Sequence, residues 1–517
     1  MEKSKSLLLL LFTLLFSVML AACSDDSDSS SSSEGNGNDS SSETESDGGE
    51  ASGDSEEPYE ISIMTNAYTP EPPTPESPAW QAIEDFTNTE LDITYVPSSN
   101  YDERFNITLA SGDLPSMILT NKTSSFINAV NDGAFWDLTD YLDDYENLSQ
   151  MNDIVKNNIS IDGKIYGLYR ARPLGRMAVS IRQDWLDNLG METPTTTEEF
   201  YDVMYAFTHD DPDGNGQDDT LGTIVSEYPG PWDIMQTWFG VPNKWGENED
   251  GTLYPYFQDP AYKEALDYFK RMYDDGLVND DFAVMDPAKW HDAYVNGEAG
   301  TVVDVADAAS RNRDKMVEAD PSLEGSVDVF GAVEGPNGLH HLPTSGYNMM
   351  YAISTTAVET EEELHKVLQF MDDMNTEEGQ KLGYNGVEGT HYEMKDGEFV
   401  PTTDQALIYE YEDLNQLLMF VPEDRYLTEP VDDLTKKEEE VLAENEEIVV
   451  GNPAEPLVSE VYSRQGQQLD NIILDARVQY IVGQIDEAGL EEAEQLWMNS
   501  GGKEYIEEIN QLYQESQ

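Results

Sequence analysis

Glu60-Ile61-Ser62-Ile63-Met64-Thr65 opens the folded part of the chain, and its apolar residues recur at every second position, as a half-buried strand requires. A Pro-rich loop follows (Pro70, Pro72, Pro73, Pro75, Pro78), and Trp80, Ile83 and Phe86 then mark one face of a helix. Leu91 to Val96 alternates again as a second strand. Tyr101 to Ala110 reads as a helix ended at Ser111-Gly112, because glycine accepts the left-handed backbone that closes a helix. Ser116-Met117-Ile118-Leu119 is a third strand. Strands alternating with helices predict an α/β fold with a parallel sheet.

The same style continues. Thr196-Thr197-Glu198-Glu199 has the spacing of a capping box ahead of Phe200, Val203, Met204 and Phe207. Tyr262, Leu266, Phe269 and Tyr273 line another helix, stopped at Gly276. Thr301-Val302-Val303 is a short strand, and Leu364, Val367, Leu368 and Met371 form a further amphipathic helix. The last ~65 residues read as helical and acidic, and no internal repeat is evident.

Upstream, Lys3 and Lys5 precede an apolar run from Leu7 to Leu20, too short for the ~20 residues of a membrane-spanning helix. This is the layout of a secretory signal, here residues 1–22. Leu20-Ala21-Ala22-Cys23 resembles the bacterial lipobox, which implies a diacyl-glyceryl, palmitate-bearing Cys23. Cys23 is the one cysteine of the chain, so the folded body has no disulfide. Residues 24–57 are Ser-rich and acidic, with Ala51 the only apolar side chain, and cannot bury enough surface to offset ordering. They read as a disordered tether.

The formal net charge is −78. The leader carries +1 and the tether −12, which leaves −67 on the folded body. Phosphate binding needs clustered Lys and Arg, so no nucleic-acid partner is expected. Self-repulsion on this scale must be screened, which suits a solvated surface in salty surroundings. A body of 460 residues exceeds one ordinary core, so two lobes are expected.

Ala110-Ser111-Gly112-Asp113-Leu114-Pro115, Pro194-Thr195-Thr196-Thr197-Glu198-Glu199-Phe200 and Tyr294-Val295-Asn296-Gly297-Glu298-Ala299-Gly300 resemble three motifs of family 1 extracellular solute-binding proteins, the maltodextrin-binding type. Tyr166 to Arg172, Asp211 to Thr220 and Tyr384 to Tyr392 narrow the resemblance to a large Gram-positive lipoprotein branch similar to the alginate-binding proteins. The resemblance covers essentially the whole chain. It implies two α/β lobes with a ligand cleft between them: 58–178 with 345–385, and 179–344 with 386–517. It implies hinge closure and delivery of an oligosaccharide to the permease subunits of an ABC importer. It also implies a monomer without enzymatic activity, lipid-anchored on the extracellular face of the membrane. A surface carbohydrate-processing enzyme, or a sensory or adhesion lipoprotein binding a peptide or other solute, is the alternative.

Asp211-Pro212-Asp213-Gly214-Asn215-Gly216-Gln217-Asp218-Asp219 places oxygen donors at every second position around a glycine turn, as a loop wrapping calcium does. Asp211, Asp213, Asn215 and Asp219 offer side chains and Gln217 its carbonyl. An EF-hand has Glu at the twelfth place, where this chain has Gly222. The alternative is a polar turn between helix and strand. A sugar site needs flat rings and polar forks. Residues 228–245 hold Tyr228, Trp232, Trp238, Phe239 and Trp245 among Gly and Pro, with each Trp open to a core or a cleft role. Trp290 and Tyr347 are further candidates, and the SGDxP-like turn adds Ser111 and Asp113. Trp136 and Trp185 read as packing residues, and His340-His341 as surface or packing rather than metal ligands. Arg170, Arg172 and Arg176 cluster in a chain with only 27 basic residues, and suit hydroxyl pairs or uronate carboxylates, or else surface ion pairs.

Overall fold

A computed structural model describes residues 57–517 apart from Asp218, Glu423, Asp424 and Gln517. Cys23, the secretory leader and nearly all of the expected tether lie outside the described residues.

Thirteen strands are present among the described residues: β1 (Tyr59–Ala67), β2 (Thr89–Pro97), β3 (Met117–Thr120), β4 (Leu168–Ala171), β5 (Met177–Arg182), β6 (Leu221–Thr223), β7 (Trp245–Glu247), β8 (Leu253–Pro255), β9 (Ala299–Val305), β10 (Val327–Phe330), β11 (Tyr347–Ile353), β12 (Tyr392–Lys395) and β13 (Glu398–Pro401). They form two main sheets, ordered β2-β1-β3-β11-β4 and β10-β5-β9-β6, plus the hairpins β7-β8 and β12-β13. The parallel pairs β1-β2 and β1-β3 are those the alternating pattern predicts, and β6, a strand the pattern did not mark, pairs parallel with β9. Strands β5, β10 and β11 pair antiparallel, and nothing in their local pattern announced it.

The expected helices form where the periodicity places them. Pro78–Thr87 buries Trp80 and Ile83 while leaving Phe86 38% exposed at the edge of its face. Tyr101–Ser111 ends at Gly112 with φ 72°. Thr197–His209 buries Phe200, Val203, Met204 and Phe207. There Thr196 accepts from the Glu199 N–H, and the Glu199 carboxylate accepts from Thr195. A full reciprocal capping box forms instead at Thr360 and Glu363, ahead of Glu361–Asp373. The acidic C-terminal stretch is helical at Glu460–Ile481, Glu487–Trp497 and Lys503–Ser516. Among the described residues no helix is long and apolar enough to cross a membrane.

Each sheet carries its own apolar interior. Ile61, Ile63, Met117, Ile118, Tyr351 and Ile353 sit in the first, and Val179, Ile181, Val303, Trp185, Phe207 and Phe269 in the second. The chain passes from first to second over residues 172–176, between β4 and β5, and returns over 331–346, between β10 and β11. A third passage was expected at residue 386. Instead Leu414, Leu417, Leu418, Met419 and Val421 remain in the first interior, and Asn385 bonds Leu427 through both main-chain groups. The next helix, Asp433–Glu446, inserts Val441 into the interior beneath β5, β9 and β10. Short loop segments between helices hide such a crossing from sequence patterns.

The passages are fastened to one another. Buried Asn445 donates to the carbonyls of Gly175 and Met177, at 2.9 and 2.8 Å, and accepts from Ala332 N–H at 3.2 Å. Helix Asp433–Glu446 comes this close because position 175 has no side chain: a Cβ there would collide with the Leu442 carbonyl. His341 pairs through its main chain with Ile448 and Val450. Its ring is 1% exposed, neither nitrogen has a hydrogen-bond partner, and burial lowers its pKa to about 4.

Candidate binding cavity

Strand register brings the edges of both sheets to the crossing. Tyr347 pairs with Ala171 at the edge where β1 and β3 end, and Met177 pairs with Val305 where β9 ends. Parallel strands must be connected over their ends, so loops from both sheets converge here, as they do at ligand crevices of open α/β sheets. Between the two sheets lies a cavity of about 900 Å³.

Its two walls differ. From the first sheet come Lys122 just after β3, Ser124, Asn158 and Tyr347. From the second come Trp245, Tyr256, Phe257, Tyr462, Trp497 and Tyr505. These rings touch in sequence. Phe257 and Trp497 have centroids 4.9 Å apart, Trp245 stands edge-on to Tyr505 at 5.1 Å, and Tyr462 lies over Tyr505 at 5.0 Å with 27° between planes. Such offset and edge geometries suit ring quadrupoles. Trp497 ends a helix, and the turn after it folds back through Gly501 at φ 119°. A Cβ on Gly502 would strike the Trp497 indole, so the ring can lie against the chain only because glycine stands there.

Polar groups are interleaved. The Tyr462 hydroxyl donates to Asp470 at 2.7 Å. Asp233 accepts from Arg477 at 2.6 Å, and Arg477 is 2% exposed. Burial works most strongly against the Arg477 charge, but Asp233, Tyr262 and Tyr256 together outweigh it and raise the guanidinium pKa. Gln236 is 6% exposed, and its Oε1 has no hydrogen-bond partner. Lys122 Nζ donates to the carbonyls of Glu455 at 2.7 Å and Asn158 at 3.2 Å, and burial lowers its pKa to about 8.

Of the residues read from sequence, Tyr347 and Trp245 line this cavity. Trp232 and Trp238 belong to the second interior: Trp232 packs on Phe269 and Phe282, Trp238 stands edge-on to Phe200, and neither is among the lining residues. Phe239 packs beside Tyr268 there. Trp290 is buried edge-on to the half-exposed Tyr228. Arg170 is 2% exposed, and its guanidinium donates to the carbonyls of Leu418 and Asn415. Arg172 and Arg176 do stand on the crossing. Arg172 donates to its neighbour Ala171, and Arg176 pairs with Asp307 at 3.0 Å. Ser111 and Asp113 are exposed and bonded within their own turn. Trp136 and Trp185 pack as read, with the Trp136 N–H on Val358. Sequence reasoning missed Lys122, Asn158, Tyr256, Phe257, Tyr462, Trp497 and Tyr505. The Gly501-Gly502 break in an otherwise unbroken helical pattern was the one available signal for the last pair.

Between helix Thr197–His209 and β6, the side chains of Asp211, Asp213, Asn215, Gln217 and Asp219 are exposed. Asp211 accepts from Gly216 N–H, and the Asn215 amide bridges Asp213 and Asp219 at 2.8 and 3.1 Å. Among the described residues no three carboxylate, imidazole or thiol groups gather as a metal site.

Residues 69–381 match the family model described as bacterial extracellular solute-binding protein. The lipoprotein LipO of Bacillus subtilis is 47% identical over 467 residues, covering 88% of this chain and 92% of that protein. The polygalacturonan/rhamnogalacturonan-binding protein YtcQ of the same organism is 36% identical over 475 residues, covering 90% and 93%. In three dimensions the alginate-binding protein AlgQ2, in a structure without calcium ion, superposes with a TM-score of 0.57 at 17% identity, over 89% of this chain and 98% of that one. The two-sheet architecture is thus that of the maltose-binding type of two-lobed binding protein, and the chain belongs to the bacterial extracellular solute-binding protein family.

Proposed function

We propose that the protein captures an extracellular oligosaccharide in the cavity between its two sheets and delivers it to the permease of an ABC importer. The observation that carries this reading is the pairing of an aromatic wall with a polar one. A pyranose presents C–H faces that pack on rings and hydroxyls that need donors and acceptors, and the cavity supplies both. The likeness to YtcQ, a polygalacturonan/rhamnogalacturonan-binding protein, supports a saccharide ligand. The two sheets act as lobes that close on it by rotation about residues 172–176, 331–346 and the segment before Asp433. Calorimetric titration with neutral and acidic oligosaccharides tests the proposal. Saturable one-to-one binding without a cleavage product supports it, and turnover of the ligand points to the enzyme alternative.

The Asp211–Asp219 loop holds a structural calcium ion in this reading. The Asn215 amide already sits between two carboxylates, so their negative charge has a focus, and Asp211, Asp213, Asn215, Gln217 and Asp219 are the donors that would hold the ion. Calcium would tie helix Thr197–His209 to β6. Chelator should then lower the melting temperature, and no change on chelation would remove the ion from the account. Cys23 is the lipid attachment point in this reading, supported by the lipobox-like Leu20-Ala21-Ala22-Cys23 and by the likeness to the lipoprotein LipO. Cys23→Ala should release the protein into the medium, whereas retention at the membrane speaks for another anchor.

A further inference from the structure

Lys122 stands out among the cations of this chain. The folded body is at −67, and its basic side chains take carboxylates readily, as in Lys164–Asp137, Lys437–Asp328 and Arg477–Asp233. The Lys122 ammonium donates only to two main-chain carbonyls, of Asn158 and Glu455, and forms no ion pair among the described residues. The Glu455 and Asp162 carboxylates act on it through space, and burial outweighs them. An ammonium has three N–H donors, so one is left beyond those two bonds. A half-buried charge held by neutral oxygens is under-compensated, and an anion placed against it gains more than it would in water.

The surrounding cavity agrees. Its lining includes Lys122 and Lys244 against Asp233, Glu455 and Asp470, and Asp233 is matched by Arg477. Its charge is therefore close to balance, whereas acidic residues outnumber basic ones 105 to 27 in the whole chain. The cavity is a place where this protein does not repel an anion. The arginines that the sequence offered for this role are engaged elsewhere: Arg170 on carbonyls of the first interior and Arg176 on Asp307.

We infer that Lys122 is the specificity-determining contact for an acidic group of the ligand, so that the cavity takes a uronate-bearing oligosaccharide in preference to its neutral counterpart. This rests on the oligosaccharide reading above. The third N–H of the ammonium meets the sugar carboxylate, while the ring faces of the same sugar lie on the aromatic wall opposite. Because Lys122 also bonds the Glu455 carbonyl from the other wall, the contact forms where closure brings both walls together.

The test is equilibrium binding of trigalacturonate and of neutral galactotriose of the same linkage, by wild type, Lys122→Met and Lys122→Arg. Wild type should favour the acidic trisaccharide about tenfold or more, the range of a hydrogen bond to a charged group. Lys122→Met should erase most of that ratio and Lys122→Arg should keep most of it. For wild type the acidic affinity should weaken as salt is raised, and the neutral one should not. That salt series uses the native chain and stands even where a variant fails to fold. Equal binding of both sugars by wild type, or an unchanged ratio in Lys122→Met, overturns the role of Lys122 and leaves the oligosaccharide reading standing. Binding of neither sugar, nor of any neutral or acidic member of a wider oligosaccharide panel, sinks that reading and the inference with it.

Discussion

The two walls of the cavity are built from different parts of the chain and by different chemistry. The first-sheet wall is drawn from the ends of short elements: Lys122 just after β3, Asn158 near the end of helix Asp153–Ile159, Tyr347 at the start of β11. Its polar groups Lys122, Ser124 and Asn158 stand beside the apolar Ile127 and Ile154. The second-sheet wall is largely aromatic, and draws on residues as far apart as Trp245 and Tyr505. Its rings hold one another through edge and offset contacts, so it is at once a binding surface and part of a core. The lesson is that the polar wall can change specificity at little cost in stability, whereas the buried rings of the aromatic wall, Trp497 first among them, cannot.

The largest effect should come from the wall that does both jobs. Trp497 is 3% exposed and packs on Phe257. Trp497→Ala should cost about 3–5 kcal/mol of stability in a denaturant titration, as truncating a buried aromatic does, and should weaken ligand binding as well. A stable variant with only a binding defect would show that the wall is mere lining.

The next tests the joint between the walls. His341 has a folded pKa of about 4, below its ordinary 6.5, so the unfolded chain binds the proton more tightly. The stability this gives is complete above pH 6.5 and is lost as pH falls toward 4, by about 3 kcal/mol. Carboxylates titrate in the same window, so the comparison is with His341→Leu. Unfolding free energies measured from pH 7.5 to 4 should fall more steeply for wild type than for the variant. Parallel curves would mean that the ring finds a partner when protonated.

Smaller effects separate the roles. Tyr462 is 40% exposed and caps the aromatic row over Tyr505. Tyr462→Ala should weaken oligosaccharide binding by about 1 kcal/mol in calorimetry, with a small change in melting temperature. Smallest of all is Arg176→Ala. Its pair with Asp307 is about two-fifths exposed on both sides, so stability should change by less than about 1 kcal/mol and affinity hardly at all. A large loss of affinity in Arg176→Ala would return the crossing arginines to the site.

The same contrast explains what the sequence revealed. The first sheet was legible from Glu60 onward because its strands alternate and its helices carry glycine stops and caps. Trp80, Phe200 and Leu364 fell where period and polarity put them. The cavity was legible only at Tyr347 and Trp245. A tryptophan among Gly and Pro has no local mark of which way it faces, and Trp232 and Trp238 turn inward because a helix, Gly230–Thr237, forms in this stretch. Lys122 was invisible for the opposite reason: an ordinary surface-looking Asn-Lys-Thr turn becomes half-buried only when residues 451–459 pack across it. Arg170 was conspicuous by its rarity, but its guanidinium serves a buried bond to the Leu418 carbonyl rather than the cavity.

The most direct test of the central claim is the thermal unfolding of the protein against a panel of neutral and uronate-bearing oligosaccharides. A ligand that binds only the native state should add about 2.7 kcal/mol at a hundredfold excess over its Kd. The account predicts a saturable rise in melting temperature with one acidic class, and no product in the recovered sugar. A protein that melts at one temperature throughout the panel would contradict it.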